Sequence, residues 1–557
     1  MKKIIAAVSA ILLLCTIAAS ALFSAYAYTC GDFEYTRSGS NATIIAYNGI
    51  ADVLNVPSSL DGYTVVAIDD AVFQNNTALV SVTVPDSVTK IGAKCFYSCP
   101  NLKTVNLSDG VTEIPERCFS YCAVLESITV SGSLAKIYRE AFNACSSLQS
   151  FTSLSTLTYI GDNAFSGCNA MTADLSDLSS GITYIGSQAF RNCYNAYGNV
   201  NIGAGTTVGG LAFDACGVAA INFNSSHPKY TSVNGVVFNK DKTVLVRYPS
   251  GRNAASYVVP STVTQVDSYA FHRAQFLEAV TLPDSVSAIG TYAFAACQKL
   301  SYVILPDSVT EIPAYCFNSC SMLRHITLPD TLITIGAHAF GNCDLQEIVF
   351  PDTLESIGKY AFYRNYHLAE AVLPDSITAL DSFIFEDCKA LTSVMLPMNL
   401  SAVPWGIFAG CEALCEMEIP EGCSEIEGAA FTGCTSLHSI HLPSTMADIG
   451  RNAFLDAGLT AVYYNGPETD WNEVTVNNTG NQPLLDATMH FGGAHIHAYS
   501  ITDFQNGTVI FSCSCGDSYG TLFADHLNNR GDAALDMNGD GIINAKDYAI
   551  LMKQFAS

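Results

Sequence analysis

The sequence predicts a β-rich solenoid of about 16 coils of 23 residues, followed by a small C-terminal helix-loop-helix calcium module. The solenoid is predicted by a phrase that recurs over most of the chain, LPDSVTxIGxxAFxxCxxLxxV, and by the alternation of apolar residues within it. The module is predicted by an oxygen-rich loop near the C-terminus. A 23-residue unit is too short to bury its own apolar face, so its copies must stack and share one core.

Phenylalanines at one position of the repeat anchor its alignment. Successive anchors are 23 residues apart, except for one gap of 25, one of 22 and one of 58. The anchors are Phe73, Phe96, Phe119, Phe142, Phe165, Phe190, Phe213, Phe271, Phe294, Phe317, Phe340, Phe362, Phe385, Phe408, Phe431 and Phe454. Regular spacing of this kind predicts a continuous stack, which we place at residues 63–491.

The first 27 residues are typical of a secretory signal peptide. Lys2 and Lys3 precede an apolar run from Ile4 to Phe23, and Ala25-Tyr26-Ala27 supplies small residues at the cleavage site. We expect cleavage before Tyr28, with an uncleaved signal anchor as the alternative. No later segment is long enough to span a bilayer, so no membrane span is expected after cleavage.

Residues 28–62 precede the first full repeat and are predicted to form an N-terminal cap of short strands. Within a repeat, the run from Leu277 to Leu282 alternates like a half-buried strand, and Pro283 ends it because proline cannot donate to the ladder. A second extended piece, Ser285 to Ile289, follows.

Gly290 then predicts a short helical turn that points Ala293 and Phe294 inward. Proline replaces this glycine in three other units, and proline fits the first residue of a helical turn. We therefore expect each coil to contain two extended pieces and one helical turn.

The 58-residue gap between Phe213 and Phe271 indicates an insertion near residues 225–259. Two apolar runs flank Asn239 to Lys242, which predicts a β-hairpin. We expect the insertion to replace one degenerate coil and to protrude from the stack.

The placement of the cysteines argues against a disulfide framework, although 21 cysteines in a secreted chain would ordinarily suggest one. Residues at one phase of a stack form a column with parallel side chains, which suits small buried groups better than paired sulfurs. Asn76, Ala274, Asn365 and Ala457 fill the same slot elsewhere, so we expect mostly free thiols that pack the core. The column consists of Cys99, Cys122, Cys145, Cys168, Cys193, Cys216, Cys297, Cys320, Cys343, Cys388, Cys411 and Cys434.

The charge and the motifs restrict the function. The formal net charge of −26 becomes −28 without Lys2 and Lys3, which disfavours nucleic acid and anionic membranes as partners. The sequence has no G-x-S-x-G, H-E-x-x-H or phosphate-binding loop. His325 and His441 occupy outward strand positions without an obvious acidic or nucleophilic partner. We therefore predict that the protein is not an enzyme.

The phrases LPDSV and IGxxAF and the terminal YYNGxxxxW are similar to the BspA-like leucine-rich repeat family of bacterial secreted and surface proteins. The resemblance covers roughly residues 30–491. It implies a right-handed β-rich solenoid that binds other macromolecules, in several relatives host matrix proteins or other cells.

An outward row of side chains on the strands is the predicted binding surface. The residue between inward Val280 and Leu282 faces outward, and its equivalents form a row along the sheet. This row is polar in the N-terminal half, at Thr83, Asn106 and Thr129, and largely apolar in the C-terminal half. An alternative is that β-branched residues merely suit a strand. The predicted surface, including residues two positions earlier, comprises Tyr302, Ile304, His325, Val349, Val372 and Met395, with Thr327 interrupting the row and Glu347 and Glu370 at its rim.

Residues 536–547 match a calcium-binding loop. Oxygen-bearing side chains occupy loop positions 1, 3, 5, 9 and 12, Gly541 supplies the tight turn, and the seventh position offers a backbone carbonyl. A hard cation prefers such a ring of oxygens. The alternative is an acidic turn without metal. The predicted ligands are Asp536, Asn538, Asp540, Ile542, Asn544 and Asp547.

With Asp547 at position 12, Asn-Ala-Lys before it and a helix from Tyr548 to Phe555 after it, residues 521–557 resemble a dockerin segment. In that family two such segments form one module that binds a cohesin, and loop positions 10 and 11 contribute to recognition. The resemblance implies that Ala545 and Lys546 take part in docking. Only one good loop is present, so the segment before it is alternatively the incoming helix of a lone EF-hand.

Residues 492–520 are predicted to be a small β spacer containing His495, His497, Cys513 and Cys515. Two histidines and two cysteines can form a zinc site. The Cys-x-Cys spacing is tighter than the usual ligand pair, which favours a small β-module with a disulfide or free thiols.

The resemblance to the BspA-like family implies a binding or adhesion role, and together with the predicted signal peptide and calcium loop it favours a secreted protein whose solenoid recognises an extracellular protein or glycan and whose calcium module docks or stabilises it. One alternative is a non-catalytic component of a cohesin-based, polysaccharide-degrading complex. The other is a secreted hydrolase with an unrecognised site.

Asp536→Ala or Asp540→Ala should abolish calcium binding by the C-terminal segment, because each removes a charged ligand from the ring. Titration calorimetry with calcium on the full chain measures the loss. Lys546→Ala, which changes no ligand, is the control and should bind calcium normally. An unchanged isotherm in the aspartate variants would contradict the assignment.

Overall fold

The computed structural model describes residues 27–130, 134–151 and 154–492, together with the backbone of three strands between 500 and 522. The predicted signal up to residue 26, the calcium loop with its docking residues, and the His/Cys cluster of the spacer lie outside the described residues. No helix in the described part is long and apolar enough to cross a membrane.

The chain forms the predicted β-rich solenoid. Most coils contribute one strand to a first sheet, a shorter strand to a second sheet, and a series of turns to a third face, named here the turn face. Neighbouring coils pair in parallel, as where Val280 lies opposite Val303 in the first sheet and Val266 lies opposite Ile289 in the second. Parallel pairing between equivalent residues keeps one repeat position in register along the stack.

The first sheet is built from the longer strands, in five separate ladders. Its strands are Val53–Asn55, Ser81–Thr83, Thr104–Leu107, Ser127–Val130 and Ser150–Phe151, then Asn199–Ile202 and Ala220–Phe223, then Ser256–Val258, Ala279–Thr281 and Tyr302–Ile304, then Glu370–Val372 and Ser393–Met395, then Glu416–Glu418, Ser439–Leu442, Ala461–Tyr464 and Thr488–Phe491.

The second sheet consists mostly of two-residue strands. They are Glu113–Ile114, Lys136–Ile137, Tyr159–Ile160, Tyr184–Ile185 and Thr207–Val208, then Tyr230–Val233, Val236–Asn239, Val244–Arg247, Gln265–Val266 and Ala288–Ile289, then Glu311–Ile312, Thr334–Ile335, Ser356–Ile357 and Ala379–Leu380, then Ala402–Val403, Glu425–Ile426, Asp448–Ile449 and Thr475–Val476.

The N-terminal sheet covers the start of the stack and leads into it. Its strands are Tyr28–Cys30, Phe33–Ser38, Asn41–Tyr47, Ser59–Leu60, Tyr63–Ile68 and Lys90–Ile91. The described helices are short: a 3-10 turn at Leu175–Asp177 and α-helices at Glu468–Trp471 and Gln482–Asp486. The spacer strands, Ser500–Gln505, Thr508–Ser512 and Ser518–Leu522, form an antiparallel sheet.

The turn face differs from the predicted helical turn. After Gly290, successive β-turns close from Ala293 N–H to the Gly290 carbonyl, 3.2 Å, and from Cys297 N–H to the Phe294 carbonyl, 3.3 Å. Tyr292 and Ala296 have φ of 58°, left-handed values that an α-helix excludes. Ala293 and Phe294 nevertheless point inward and are fully buried, as expected.

The left-handed residues free alternate amides to bond along the stack. The N–H groups of Tyr292, Phe294 and Ala296 donate to carbonyls of the next coil, with Phe294 N lying 2.9 Å from the Cys316 carbonyl oxygen. A helical turn would use these donors within its own coil. This third ladder explains why the chain forms β-turns here instead of a helix.

Anchor phenylalanines stack along the inner side of the turn face. Neighbouring anchor rings have centroids 4.8 to 5.9 Å apart and lie nearly parallel. Such offset stacks add to the burial of apolar area. The repeated phenylalanine is thus the central packing residue of each coil.

The cysteine column is buried, and all 18 described cysteines are free thiols. Eleven of the twelve column thiols donate to the carbonyl of the anchor phenylalanine one coil earlier, as Cys297 does to Phe271 at 2.9 Å. Asn365 makes the same bond through Nδ2, 2.9 Å from the Phe340 oxygen. The slot is therefore a weak donor position as well as a packing position.

The insertion contains the predicted hairpin, with Val236–Asn239 antiparallel to Val244–Arg247, and an additional strand at Tyr230–Val233. The expectation that it protrudes is wrong, because Phe238 and Leu245 are fully buried. No coil is lost either. Tyr248 stands 23 residues before Phe271, and the centroids of the two rings lie 5.2 Å apart. Its N–H donates to the Ala270 carbonyl of the next coil, as the anchor residues do in the ladder of the turn face. The degenerate coil is an ordinary coil with tyrosine as its anchor.

A buried ion cluster lies where the insertion meets the stack. The side chain of Asp214 is fully buried, with Oδ1 3.0 Å from Arg247 Nη1 and 2.9 Å from His272 Nδ1, and Oδ2 3.3 Å from Arg191 Nε. Burial favours a higher pKa for this carboxyl, but the bond with His272 and the charges of Arg247 and Arg191 outweigh it and hold the pKa below its ordinary value.

The column thiols should resist alkylation in the native protein, while exposed Cys415 reacts. Burial raises the pKa of Cys145, Cys297 and Cys388 to about 12, so at neutral pH they offer neither access nor thiolate. Iodoacetamide labelling with and without guanidinium, read by peptide mass spectrometry, tests this. Disulfide-linked peptides among Cys99 to Cys216 would contradict it.

Asp214→Asn should destabilise the protein at neutral pH by about 3–5 kcal/mol, because it leaves Arg247 buried without a countercharge. The pKa of the Asp214 carboxyl is lower in the folded protein than in the unfolded chain, where it is about 3.9, so the carboxylate stabilises the folded protein fully above that pH and loses this contribution as the pH falls through the folded pKa. The difference in melting temperature between wild type and variant should therefore become smaller below about pH 4. Asp214→Leu combined with Arg247→Met is the control and should recover most of the lost free energy of unfolding, because it removes both buried charges. A difference in melting temperature that does not change with pH would contradict the account.

Candidate binding surface

The outward row on the first sheet is exposed as its position predicts. Exposed fractions rise from 41% at Ile304 to 81% at Val349, and Val372 and Met395 lie between. The neighbouring Tyr302 is also exposed. We call Ile304, Val349, Val372 and Met395 the apolar row. It is a line of solvent-facing apolar side chains.

The rim of the row is polar, and two of its histidines form hydrogen bonds with carboxylates. His325 Nδ1 lies 3.1 Å from Glu347 Oε1, and His441 Nε2 lies 3.0 Å from Glu416 Oε1. The expectation that neither histidine has an acidic partner is wrong. These partners belong to adjacent coils, so their proximity follows from the parallel register. Because His325 and Glu347 are both exposed, their interaction contributes little to stability.

The first sheet is interrupted beside the apolar row. In the described chain, no backbone hydrogen bond joins residues 325–328 to residues 302–305 or to residues 347–350. Residues 325–328 and 347–350 do not form strands, whereas Tyr302–Ile304 does. The second-sheet strands of the same coils stay paired, with Ile312 opposite Ile335 and Ile335 opposite Ile357. These coils therefore lose their pairing in the first sheet and keep it in the second.

A cavity of about 490 Å³ occupies this opening, named here the gap. It lies between residues 325–330 and 347–352. Ile326 and Ile348 at its floor are 9% and 7% exposed, whereas the equivalent Val280 is fully buried. The gap thus opens the edge of the core to solvent, and its volume lies within the range of ligand sites.

Asp344 provides a physical reason for the gap. Most coils have two residues between the thiol slot and the next inward side chain, but three coils have only one. In two of these short coils the single residue is a glycine, Gly217 in one and Gly458 in the other. A Cβ there would lie 2.2 Å from a carbonyl oxygen of the preceding coil, so only glycine allows the strand to close. The third coil has Asp344, and Leu345 N–H donates instead to Asn365 Oδ1 at 3.1 Å.

The carboxylate of Asp344 also links the coils on either side. Its Oδ2 lies 3.1 Å from Arg324 Nε and its Oδ1 lies 2.6 Å from His367 Nδ1. After both glycines, in contrast, the first-sheet strand is paired, as where Ile221 lies opposite Val200. The coil of Asp344, which has no glycine at this position, also lacks this strand pairing.

The repeat pattern that builds these faces identifies the family. The model of the BspA type leucine rich repeat region matches residues 66–196, 125–244, 248–369 and 355–479, which is more than half of the chain. The chain belongs to this family. No curated protein matches the sequence.

Solved structures of similar repeats cover most of this BspA-type chain. A leucine rich cell surface protein from Faecalibacterium prausnitzii is 25% identical, over 82% of this chain and 99% of that one, with a TM-score of 0.44. A leucine-rich repeat protein from Bacteroides ovatus is 20% identical over 84% and 100%, with a TM-score of 0.37. The pneumococcal vaccine antigen PcpA is 19% identical over 84% and 99%, with a TM-score of 0.38.

The BspA-type repeat places an exposed aspartate after the proline of each of five successive coils, in the phrase Leu-Pro-Asp or, at Asp352, Phe-Pro-Asp. These aspartates lie in the turns at the end of the first face, and two of them line the gap. They are Asp284, Asp307, Asp330, Asp352 and Asp375. This acidic ridge, together with the net charge of −26, favours cationic partners.

A further aromatic series continues the outward row beyond Met395. His441, Tyr463 and His490 stack with ring centroids 4.6 Å apart at both contacts. Sequence reasoning missed this stack, although the signal was available: all three residues occupy the row position of successive BspA-type coils. It adds flat aromatic surface to the same face of the solenoid.

The described residues give no sign of a metal centre. No group of three or more His, Cys, Asp or Glu side chains in residues 27–130, 134–151 and 154–492 is placed to hold a metal ion. The described BspA-type surface presents apolar side chains, aromatic faces and acidic groups.

Proposed function

We propose that this protein is a non-catalytic binding protein of the bacterial cell exterior, and that its first sheet recognises another macromolecule between Tyr302 and Met395. Family membership supports a repeat scaffold for binding. The observation that carries the proposal is the apolar row, which lies open beside the gap and is bordered by the acidic ridge. Exposed apolar surface with a polar rim is a frequent mark of an interaction site.

Three features support binding over chemistry. Ile304, Val372 and Met395 of the row lie on strands, which hold their side chains firmly. The acidic ridge supplies charge that orients and speeds the encounter with a basic partner. His325 and Glu347, which form a hydrogen-bonded pair across adjacent coils, are both exposed, with 59% and 76% of their side chains accessible.

We further propose that residues 521–557 bind calcium and dock or stabilise the protein outside the cell. This part of the proposal comes from the ligand spacing of residues 536–547. A role as a non-catalytic component of a cohesin-based complex is the second candidate, and only the dockerin-like loop favours it. A pull-down with cohesins separates the two.

Ile304→Asp with Val372→Asp should weaken binding to the solenoid's ligand by at least ~10-fold, or about 1.4 kcal/mol. Two added carboxylates disrupt apolar contact, while both side chains are already exposed, so the melting temperature should change little. The ligand is first sought by screening immobilised full-length protein against matrix proteins, mucins and plant glycans.

Thr83→Asp with Thr129→Asp is the matched control, because these residues occupy the same row position in the N-terminal half. It should leave binding unchanged. Undiminished binding by a folded Ile304→Asp, Val372→Asp protein would place the site elsewhere, with residues 225–259 the first candidate.

A further inference from the structure

The gap presents backbone groups that a sheet normally pairs. In the described residues, no backbone hydrogen bond reaches the N–H or carbonyl groups of residues 325–328 and 347–350. Both runs nevertheless keep the alternation of a strand, with Ile326 and Ile348 inward and Val349 outward. Such edges are templates for an added strand.

The opening is confined and held in place by the other two faces. On the turn face, Phe317 N–H donates to the Ala339 carbonyl at 2.8 Å, and Phe340 N–H donates to the Ala361 carbonyl at 2.8 Å. The second-sheet strands Thr334–Ile335 and Ser356–Ile357 pair with each other. The gap is thus a fixed feature of a closed stack and not an unravelled coil.

We propose that the gap binds an extended, positively charged peptide segment of a partner protein, which pairs with residues 325–328 and 347–350 as an added strand. This inference rests on the proposed function and names the partner class for the same surface. A peptide backbone supplies alternating donors and acceptors, which are the partners that unpaired N–H and carbonyl groups of an extended run need and which a glycan or a lipid headgroup does not supply in that pattern.

The lining selects the side chains of that peptide. At the floor, Ile326 and Ile348 accept an apolar residue, while Glu347, Asp330 and Asp352 at the mouth favour a basic one. Alternate residues of a strand face opposite ways, so a segment with alternating apolar and basic residues satisfies both. Each run has four residues, so about four residues of peptide, roughly 13 Å, can pair.

Asp344 is a positioning residue for this site. It lies outside the two runs, yet its side chain keeps its coil from closing as the coils of Gly217 and Gly458 do. Asp344→Gly should let the strand close and remove the site without changing any residue that lines it. Asp387→Gly is the matched control: it also removes an ion pair, that with Arg364 at 3.2 Å, and its φ of 59° suits glycine.

The experiment measures binding of a fluorescent eight-residue peptide of alternating lysine and valine, with blocked ends, to the full-length protein by anisotropy. We expect saturable binding that weakens at least ~10-fold for Asp344→Gly and stays unchanged for Asp387→Gly. The same peptide with N-methylated valine amides should bind at least ~10-fold more weakly, because it cannot donate to a strand. A glutamate-valine peptide should not bind, and added salt should weaken the lysine-valine complex.

Equal binding of the N-methylated peptide, or equal binding by Asp344→Gly, would overturn strand addition. The absence of binding between the lysine-valine peptide and the wild-type protein at about 1 mM peptide would also overturn it, because a Kd of that size corresponds to a binding free energy of only ~4 kcal/mol. A third outcome would also overturn it: the wild-type chain associates with itself, Asp344→Gly abolishes this association, and the peptide does not bind. That result would assign the gap to a second copy of the chain. If the screened macromolecule binds through Ile304 and Val372 while the peptide does not, only this inference fails; if neither binds, the proposed function fails with it.

Discussion

The hydrogen-bond ladder of the turn face is the constraint on which the rest of the structure depends. Each coil sends alternate amides, such as Phe294 N–H, to carbonyls of the next coil, and left-handed residues such as Tyr292 make this geometry possible. The ladder fixes the distance between coils, so equivalent phenylalanines stack and equivalent thiols reach the preceding carbonyls. The core column, the thiol column and the outward row all follow from one register.

Much of this architecture could be predicted because it is periodic. The spacing of the phenylalanines indicated the stack, and the alternation around Val280 indicated which side chains face outward, including Ile304 and Val349. The turn conformation could not be predicted in the same way. Position 292 carries tyrosine, and positive φ is usual for glycine or asparagine, so local propensity gave no signal against a helical turn. The benefit lies in bonds to another coil, which a single repeat does not show.

Other features were missed because they depend on substitutions or on neighbours one repeat away. Tyr248 fills an anchor slot, so an alignment on phenylalanine alone lost a coil. The pair His325–Glu347 is separated by 22 residues and becomes adjacent only through stacking. The gap could not be predicted from the sequence, because only the close contacts at Gly217 and Gly458 in the folded stack show why an aspartate at the corresponding position matters. The calcium segment was predicted from ligand spacing alone and stays a prediction.

The three-faced design explains how one coil can acquire a site without loss of the stack. In a solenoid each coil contacts only its neighbours, so a local change is not transmitted through a single compact core. Around the gap, the turn ladder and the second sheet still join every coil, and the cost of opening is limited to one face. Asp344 is a single substitution at a position where closure needs glycine, and its carboxylate gains contacts with Arg324 and His367. The binding site that we propose thus lies where the repeat is broken, while the stability of the stack comes from the faces on which the repeat is kept.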